Sequence, residues 1–361
     1  MDNNFFYSAA IINNNMYWSC QMGGDIQKLD LATGELNYVM PKEGLLVDEL
    51  DASAVLAADG CNVYGVFHCG KYLFEYTEET NVMQTVYLGL EESRIDLVCG
   101  SKIHDGILYI VPKRSSELFM INIQSGAIKR RELLSTNRLD LDNMAFITDC
   151  GKIYIINNEF RKLLILSIKD DKYIEEYNYP EDIDIQDFFV KDEKITFIDY
   201  KGELITWDYR NGELKSLTWL PDEIRGKKDD WHVEMVMTKR SLWIVSSLRN
   251  IAVQLDLANY TAINKISNNN IIDSYMKKYY YSRNINKLIN DERCYLAMVN
   301  TNSIFVIDKE SDVGEFMYDV FVSDEKKSQY YCYTKKMYFE EGKMSLRDYI
   351  NYLVYKEENN K

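Results

Sequence analysis

Several things are scarce in this chain, and each shortage narrows the reading. Glycine at 17 and proline at 4 in 361 residues exclude a collagen-like chain. No heptad is sustained, which excludes a coiled coil. No stretch of about 18 apolar residues occurs, so no transmembrane helix and no membrane insertion are expected. The N-terminus, MDNNFFYSAAIINNNMYW, has no basic segment before an apolar core and no small-residue cleavage site, so no secretory signal is expected. Basic residues are in deficit, 42 Lys and Arg against 57 Asp and Glu, for a net charge of −15. That sign repels phosphate backbones and anionic lipid, so nucleic acid is not an expected partner.

Site chemistry is equally sparse. The 3 histidines, His68, His104 and His232, fall far apart in sequence, and none stands beside a recognisable nucleophile. No G-x-S-x-G elbow occurs. Gly23-Gly24 is the only glycine pair and no helix follows it, so neither a P-loop nor a dinucleotide fingerprint is indicated. Cys61 and Cys69 bracket one strand and would lie ~26 Å apart at about 3.3 Å per residue, too far to share an ion. His68-Cys69 supplies two neighbouring ligands, but no local set completes four. No metal, cofactor or catalytic set is therefore assigned.

What is present is globular and strand-forming. Hydrophobic residues make up 46% and charged residues 27%, which excludes disorder for most of the chain. Tyrosine, at 28, favours strands. The 7 cysteines are odd in number and scattered, which suits free thiols in a reducing cytoplasm.

An internal repeat organises the sequence. Asp25–Leu36 reads DIQKLDLATGEL: a strand, a tight turn and another strand. The pattern returns as LFMINIQSGAI at Leu118–Ile128 and as LITWDYRNGEL at Leu204–Leu214, with weaker copies between and beyond. The residues just before the turns are Asp30, Thr77, Asn122, Ser167, Asp208, Asp256 and Asp308, at steps of 47, 45, 45, 41, 48 and 52. Short polar side chains suit this place because they can bond the backbone of the coming turn. A second landmark lies upstream in the same phase, an apolar residue followed by an aromatic one: Met16-Tyr17, Val63-Tyr64, Leu108-Tyr109, Ile153-Tyr154, Leu242-Trp243 and Cys294-Tyr295. The fifth copy reads Ile195-Thr196-Phe197. Each unit divides into four short strands. In the third these are Arg94–Ser101, Gly106–Val111, Leu118–Ile123 and Ala127–Leu133. The second strands are apolar on both faces, as strands between stacked sheets are. Seven four-stranded units match a β-propeller.

The repeats resemble those of the broad propeller group that includes WD-repeat, YVTN-type and quinoprotein-like proteins. The LDLATGEL turn is similar to the quinoprotein-like element, and IFVID at Ile304–Asp308 is similar to the YVTN strand. The likeness runs from Phe5 to about Val322. It departs from the WD pattern in having Trp207-Asp208 once only, and from the quinoprotein pattern in having Tyr38 where that repeat ends in Trp. The resemblance implies the fold and no specific family.

The expected architecture is all-β: a single seven-bladed propeller over residues 1–325. Six or eight blades stay open because the last unit is irregular. Asn268–Arg293 interrupts the repeat as an insertion holding the basic, aromatic stretch from Lys277 to Arg283. Residues 326–361 form an extension packed on the propeller. In it Ser345–Lys356 reads as a short amphipathic helix, with Leu346, Tyr349, Ile350 and Leu353 on one face and Ser345 as its cap.

Propeller ligands sit where the second-to-third-strand loops and the blade-to-blade connectors emerge, by fold analogy. The connectors are acidic: Asp48, Glu49 and Asp51; Glu91 and Glu92; Asp140 and Asp142; Glu181, Asp182, Asp184 and Asp187; Asp222, Glu223, Asp229 and Asp230. The loops are basic, with Lys71, Lys113, Arg114, Arg161, Lys162, Lys201 and Arg249 against Glu117, Glu159, Asp199 and Glu203. Two readings follow. In one, these cations and the aromatics Phe160, Tyr200, Trp219 and Trp231 form a polar pocket for a protein or carbohydrate partner, with Lys71, Arg114, Arg161, Tyr200, Lys201, Arg249 and Trp231 as its ligand-binding residues. In the other, loops and connectors neutralise each other in surface ion pairs. The expected function is non-catalytic binding or scaffolding in the cytoplasm. The alternative is a carbohydrate-active lyase or hydrolase, which needs two carboxylates about 5 to 9 Å apart at the channel mouth.

Overall fold

The structure is a computed structural model that describes residues 6–20, 26–39, 53–67, 72–88, 98–112, 115–134, 143–148, 151–168, 174–225, 233–246, 249–268, 287–289, 292–298 and 303–319. Among the described residues the regular elements are all strands. Sheet 1 is β1 (Phe6–Ile12), β2 (Asn15–Cys20), β3 (Ile26–Asp30) and β4 (Leu36–Tyr38). Sheet 2 is β5 (Ser53–Asp59), β6 (Asn62–Phe67), β7 (Tyr72–Thr77) and β8 (Val82–Tyr87). Sheet 3 is β9 (Val98–His104), β10 (Ile107–Pro112), β11 (Glu117–Asn122) and β12 (Ile128–Glu132). Sheet 4 is β13 (Asn143–Ile147), β14 (Lys152–Asn157), β15 (Lys162–Ser167) and β16 (Ile174–Asn178). Sheet 5 is β17 (Ile185–Lys191), β18 (Lys194–Asp199), β19 (Glu203–Asp208) and β20 (Glu213–Trp219). Sheet 6 is β21 (Val233–Met237), β22 (Ser241–Ser246), β23 (Ile251–Asp256) and β24 (Ala262–Ser267). Sheet 7 is β25 (Lys287–Ile289), β26 (Arg293–Met298), β27 (Ser303–Asp308) and β28 (Val313–Asp319). Each sheet is an antiparallel meander with its strands in chain order. The chain divides into two compact units: residues 1–4, 8–93 and 321–361, with sheets 1 and 2 apart from Phe6 and Tyr7, and residues 5–7 and 94–320, with sheets 3 to 7.

The turn residues fall where the repeat puts them. All seven, from Asp30 to Asp308, are the last residue of a third strand. Asp30 Oδ1 accepts the N–H groups of Ala32 and Thr33 at 2.8 and 3.1 Å. Asn122 Oδ1 accepts those of Gln124 and Ser125, and Asp308 Oδ1 those of Glu310 and Ser311. The side chain thus satisfies backbone donors that the turn would otherwise strand. The first strand of sheet 3 extends past the expected Ser101 to His104 and ends at the tight turn in which Asp105 and Gly106 take φ of 49° and 72°; residues 94–97 lie outside the described residues. Among the described residues, β25, the first strand of sheet 7, lies within Asn268–Arg293. The helix expected at Ser345–Lys356 lies outside the described residues.

The second strands carry the core. Those of sheets 3, 4, 5 and 6 are buried nearly end to end. Tyr17, Tyr64, Tyr109, Tyr154, Trp243 and Tyr295 are each the third residue of a second strand, and each is buried. In sheet 5 that place belongs to Thr196, whose hydroxyl meets that of Thr206 at 2.7 Å. Phe197, the fifth copy's aromatic, stands one residue on and so faces the opposite side of its sheet. There it packs with Tyr154, Phe188 and Trp207 in the layer between sheets 4 and 5. Similar layers join sheets 5 and 6 and sheets 6 and 7 in the same unit. In the other unit Tyr17, Leu56, Val63 and Phe74 belong to one such layer.

Two glycines lie too close to aromatic rings to carry a side chain. Gly65 lies under Phe74, where a Cβ would come within 2.2 Å of Cζ. At Gly314 a Cβ would meet Phe305 Cζ at 2.7 Å and Trp243 Cη2 at 2.8 Å.

Candidate functional site

The connectors of sheets 4 to 6 are described best, and they show how the loop face is built. After β20, Leu220 and Ile224 are buried in the apolar layer between sheets 5 and 6. Leu220 N–H is bonded to Gly202 O at 2.9 Å, and Ile224 N–H to Pro221 O at 3.0 Å. Two anchors four residues apart fix the short turn between them. They hold Trp219 outward, 52% exposed. The Arg225 guanidinium lies over the Trp219 ring, 5.8 Å from its centroid, and pairs with Asp222. Glu223 of the same turn meets Lys265 Nζ at 3.0 Å, which holds its carboxyl below the usual range. Its carbonyl accepts from Arg249 Nη1 at 2.9 Å.

The preceding connector is held from both sides. Arg161, in the loop of sheet 4, gives Nη1 to the Ile183 carbonyl and to the Asp184 carboxylate. Its guanidinium also lies 5.9 Å from the Tyr179 ring centroid. Burial works against the charge of Arg161, but Asp184 outweighs it and holds the guanidinium above its ordinary pKa. Lys201, in the loop of sheet 5, reaches the Asp182 carbonyl at 3.4 Å. Tyr200 N–H is bonded to Asp184 O at 2.9 Å. Beneath it Asp199, 3% exposed, accepts the N–H groups of Lys201 and Glu203 at 3.0 and 2.8 Å. Burial raises its carboxyl above the ordinary value, those two N–H groups notwithstanding.

The structure therefore brings Arg161, Tyr200 and Lys201 together on one connector and puts Arg249 on the next. It engages their polar groups with the chain's own carbonyls and carboxylates. Arg161 makes an ion pair with Asp184, whereas Arg249 is bonded to a backbone carbonyl. Lys71, Arg114 and Trp231 lie outside the described residues. The Trp219–Arg225 pair was only half visible in sequence. Trp219 stood out as an aromatic beside the loops, whereas Arg225 is placed by the Leu220 and Ile224 anchors, which a repeat alignment does not weigh.

The sequence matches no family model and no curated protein. Solved structures do match the backbone. Virginiamycin B lyase from Staphylococcus aureus aligns with a TM-score of 0.58 at 12% identity, over 83% of this chain and 94% of that one. BamB from Moraxella catarrhalis aligns at 0.54 and 11% identity, over 90% and 97%. Sqt1 from Saccharomyces cerevisiae aligns at 0.55 and 8% identity, over 87% and 85%. The fold is a seven-bladed β-propeller. Identities this low carry the fold alone, so the activity named for any one of these proteins does not transfer. The seven sheets are the blades of this propeller, and the loops and connectors above belong to blades 4, 5 and 6.

Proposed function

We propose that this propeller is a non-catalytic binding module that holds a protein partner on the connector face of blades 5 and 6. The observation that carries the reading is Trp219, half exposed at the end of β20 with a guanidinium stacked on it. Trp and Arg are the residues that most often dominate binding energy at protein interfaces. Leu220 and Ile224 hold the pair in place before any partner arrives, which lowers the ordering cost of association. Around it lie charged groups already engaged, Asp222 with Arg225, Glu223 with Lys265, and Arg249 on the Glu223 carbonyl, as a polar rim requires. The enzymatic alternative draws less support from this face. Asp184 is committed to Arg161, Glu223 to Lys265, and Asp187 Oδ2 to the Met235 N–H at 2.6 Å. Cys61, Cys99 and Cys294 are in no disulfide, which supports a cytoplasmic setting.

The test is affinity capture from lysate of the source organism, followed by calorimetry with the purified partner. Trp219→Ala and Arg225→Ala should each weaken the binary complex at least about 10-fold with the melting temperature unchanged. A partner that binds both variants as tightly as the parent chain would sink this placement. Capture of nothing, with saturable binding on a glycan array, would move the reading to carbohydrate.

A further inference from the structure

The apolar layer between sheets 1 and 2 ends in a polar cleft. Tyr17 and Tyr76, with ring centroids 5.5 Å apart, belong to that layer. Beside them opens a space of about 310 Å³ lined by Asn15, Lys28, Asp30, Asn37, Tyr76 and Asn81, with Glu35, Tyr38 and Val39. Strand register explains the first four. Asn15 pairs with Asp30 and Tyr17 with Lys28 across β2 and β3, and Lys28 with Asn37 across β3 and β4. Residues directly opposite share a face, so all four stand on the side of sheet 1 that carries Tyr17. The hairpin between β7 and β8 contributes Tyr76 and Asn81.

These groups are fixed from behind. The Glu78 carboxylate accepts from Asn13 Nδ2 at 3.1 Å, Tyr17 Oη at 2.8 Å and Asn15 Nδ2, and pairs with Lys28 Nζ at 2.9 Å. The Lys28 charge is thereby balanced. The Asn15 amide is oriented by its nitrogen, and its Oδ1 is buried with no hydrogen-bond partner. A buried acceptor of this kind costs about 1–3 kcal/mol when left unpaired. Asn81 Oδ1 accepts from Tyr76 Oη at 2.9 Å, which leaves the amide nitrogen to donate. Asp30 spends Oδ1 on its own turn and keeps Oδ2.

We infer that this cleft binds a neutral saccharide of one or two rings. The lining offers amides, carboxylates and phenols, and Val39 is its one aliphatic side chain. Amides that donate and accept, beside carboxylates that accept, match hydroxyls that do both. Lys28 against Asp30 and Glu35 leaves the lining net negative, which opposes phosphates and other anions. So polar a wall opposes lipids and flat aromatic cofactors. The volume lies at the small end of ligand sites, which limits the ligand to one or two rings.

The test uses the full chain with glucose, galactose, mannose, N-acetylglucosamine and their disaccharides, followed by ligand-observed NMR and calorimetry. At least one sugar should saturate the protein. Asn37→Ala should weaken it about 5- to 10-fold at an unchanged melting temperature; Asn81→Gly should weaken it similarly while lowering the melting temperature, because Tyr76 Oη loses its acceptor. Glycine is the choice at 81 because Asn81 has φ of 51°, where alanine would add strain. Binding of none of these sugars at about 30 mM, far weaker than specific recognition, would overturn the inference. So would equal affinity in both variants, or saturation by spermidine where no sugar binds.

Discussion

Trp243 Nε1 donates to Asp312 Oδ1 at 3.0 Å, so the second strand of blade 6 is tied to the last turn of blade 7. The same oxygen accepts from Ser241 Oγ at 2.6 Å and Thr238 Oγ1 at 2.8 Å. Tyr17 and Glu78 make the corresponding tie between blades 1 and 2 at 2.8 Å. In both, the aromatic that marks the repeat ends in a polar atom, and a carboxylate from the next blade's hairpin receives it. Such a latch aligns neighbouring sheets that apolar packing alone would let slide.

Removing the acceptor should cost more than neutralising it. Asp312→Ala leaves the buried Trp243 N–H and Ser241 hydroxyl without their partner, a loss of about 2–3 kcal/mol. Asp312→Asn keeps Oδ1 and should cost under about 1 kcal/mol. Urea unfolding of the two variants separates the outcomes. Equal midpoints would mean that the oxygen is dispensable.

Gly314→Ala tests the same seam sterically. A methyl group there meets the rings of Phe305 and Trp243 below 3 Å, and neither ring has room to turn in a buried layer. The cost expected of such overpacking is about 1–3 kcal/mol. Phe305→Leu in the Gly314→Ala background should recover part of it, because the nearer clash, at Phe305 Cζ, disappears. A double-mutant cycle reads the coupling, and additive losses would contradict it.

Acid should loosen the turns. Thr33 and Ala32 N–H groups hold the Asp30 carboxyl below its ordinary value, and Ser311 does the same for Asp308. Both folded pKa values lie below the unfolded ones. Their stabilisation is therefore complete above the unfolded carboxylate range, about pH 4, and is lost as pH falls through the folded values. Asp308→Asn should flatten this part of the acid limb, since Asn122 already makes the same turn with an amide. Thermal melts of the two chains between about pH 2 and 7 should converge as pH falls; a constant gap would contradict the assignment.

The parts of the fold that were legible in sequence are those written in local chemistry. Asp30, Asn122 and Asp308 bond N–H groups two and three residues away, so their pattern needs no tertiary information. The buried aromatics were legible for the same reason, except at Phe197. A shift of one residue there moves the ring to the other face of the sheet, and a spacing count cannot feel it. The site was less legible. Arg161, Lys201 and Arg249 were placed on the right loops, but their partners are carbonyls 19 to 26 residues distant. The cleft of unit 1 left a signal that went unread: Asn15, Lys28, Asp30 and Asn37 put polar groups on the face of sheet 1 that carries the buried Tyr17.

Arg161 and Lys201 grip one connector, yet they should differ in weight. Arg161 donates to both a carbonyl and a carboxylate, with its side chain 27% exposed. Lys201 makes a single contact at 3.4 Å from an exposed position. Arg161→Ala strands the carbonyl of buried Ile183 and frees Asp184, so a loss of about 1–3 kcal/mol is expected. Lys201→Ala should stay within about 0.5 kcal/mol. Hydrogen exchange gives the sharper measurement, because the Tyr200 amide is bonded to Asp184 O. It should exchange about 10-fold faster in Arg161→Ala and at the parent rate in Lys201→Ala. If both variants exchange alike, the connector is held by its backbone bonds and by buried Ile183, and the guanidinium only decorates it.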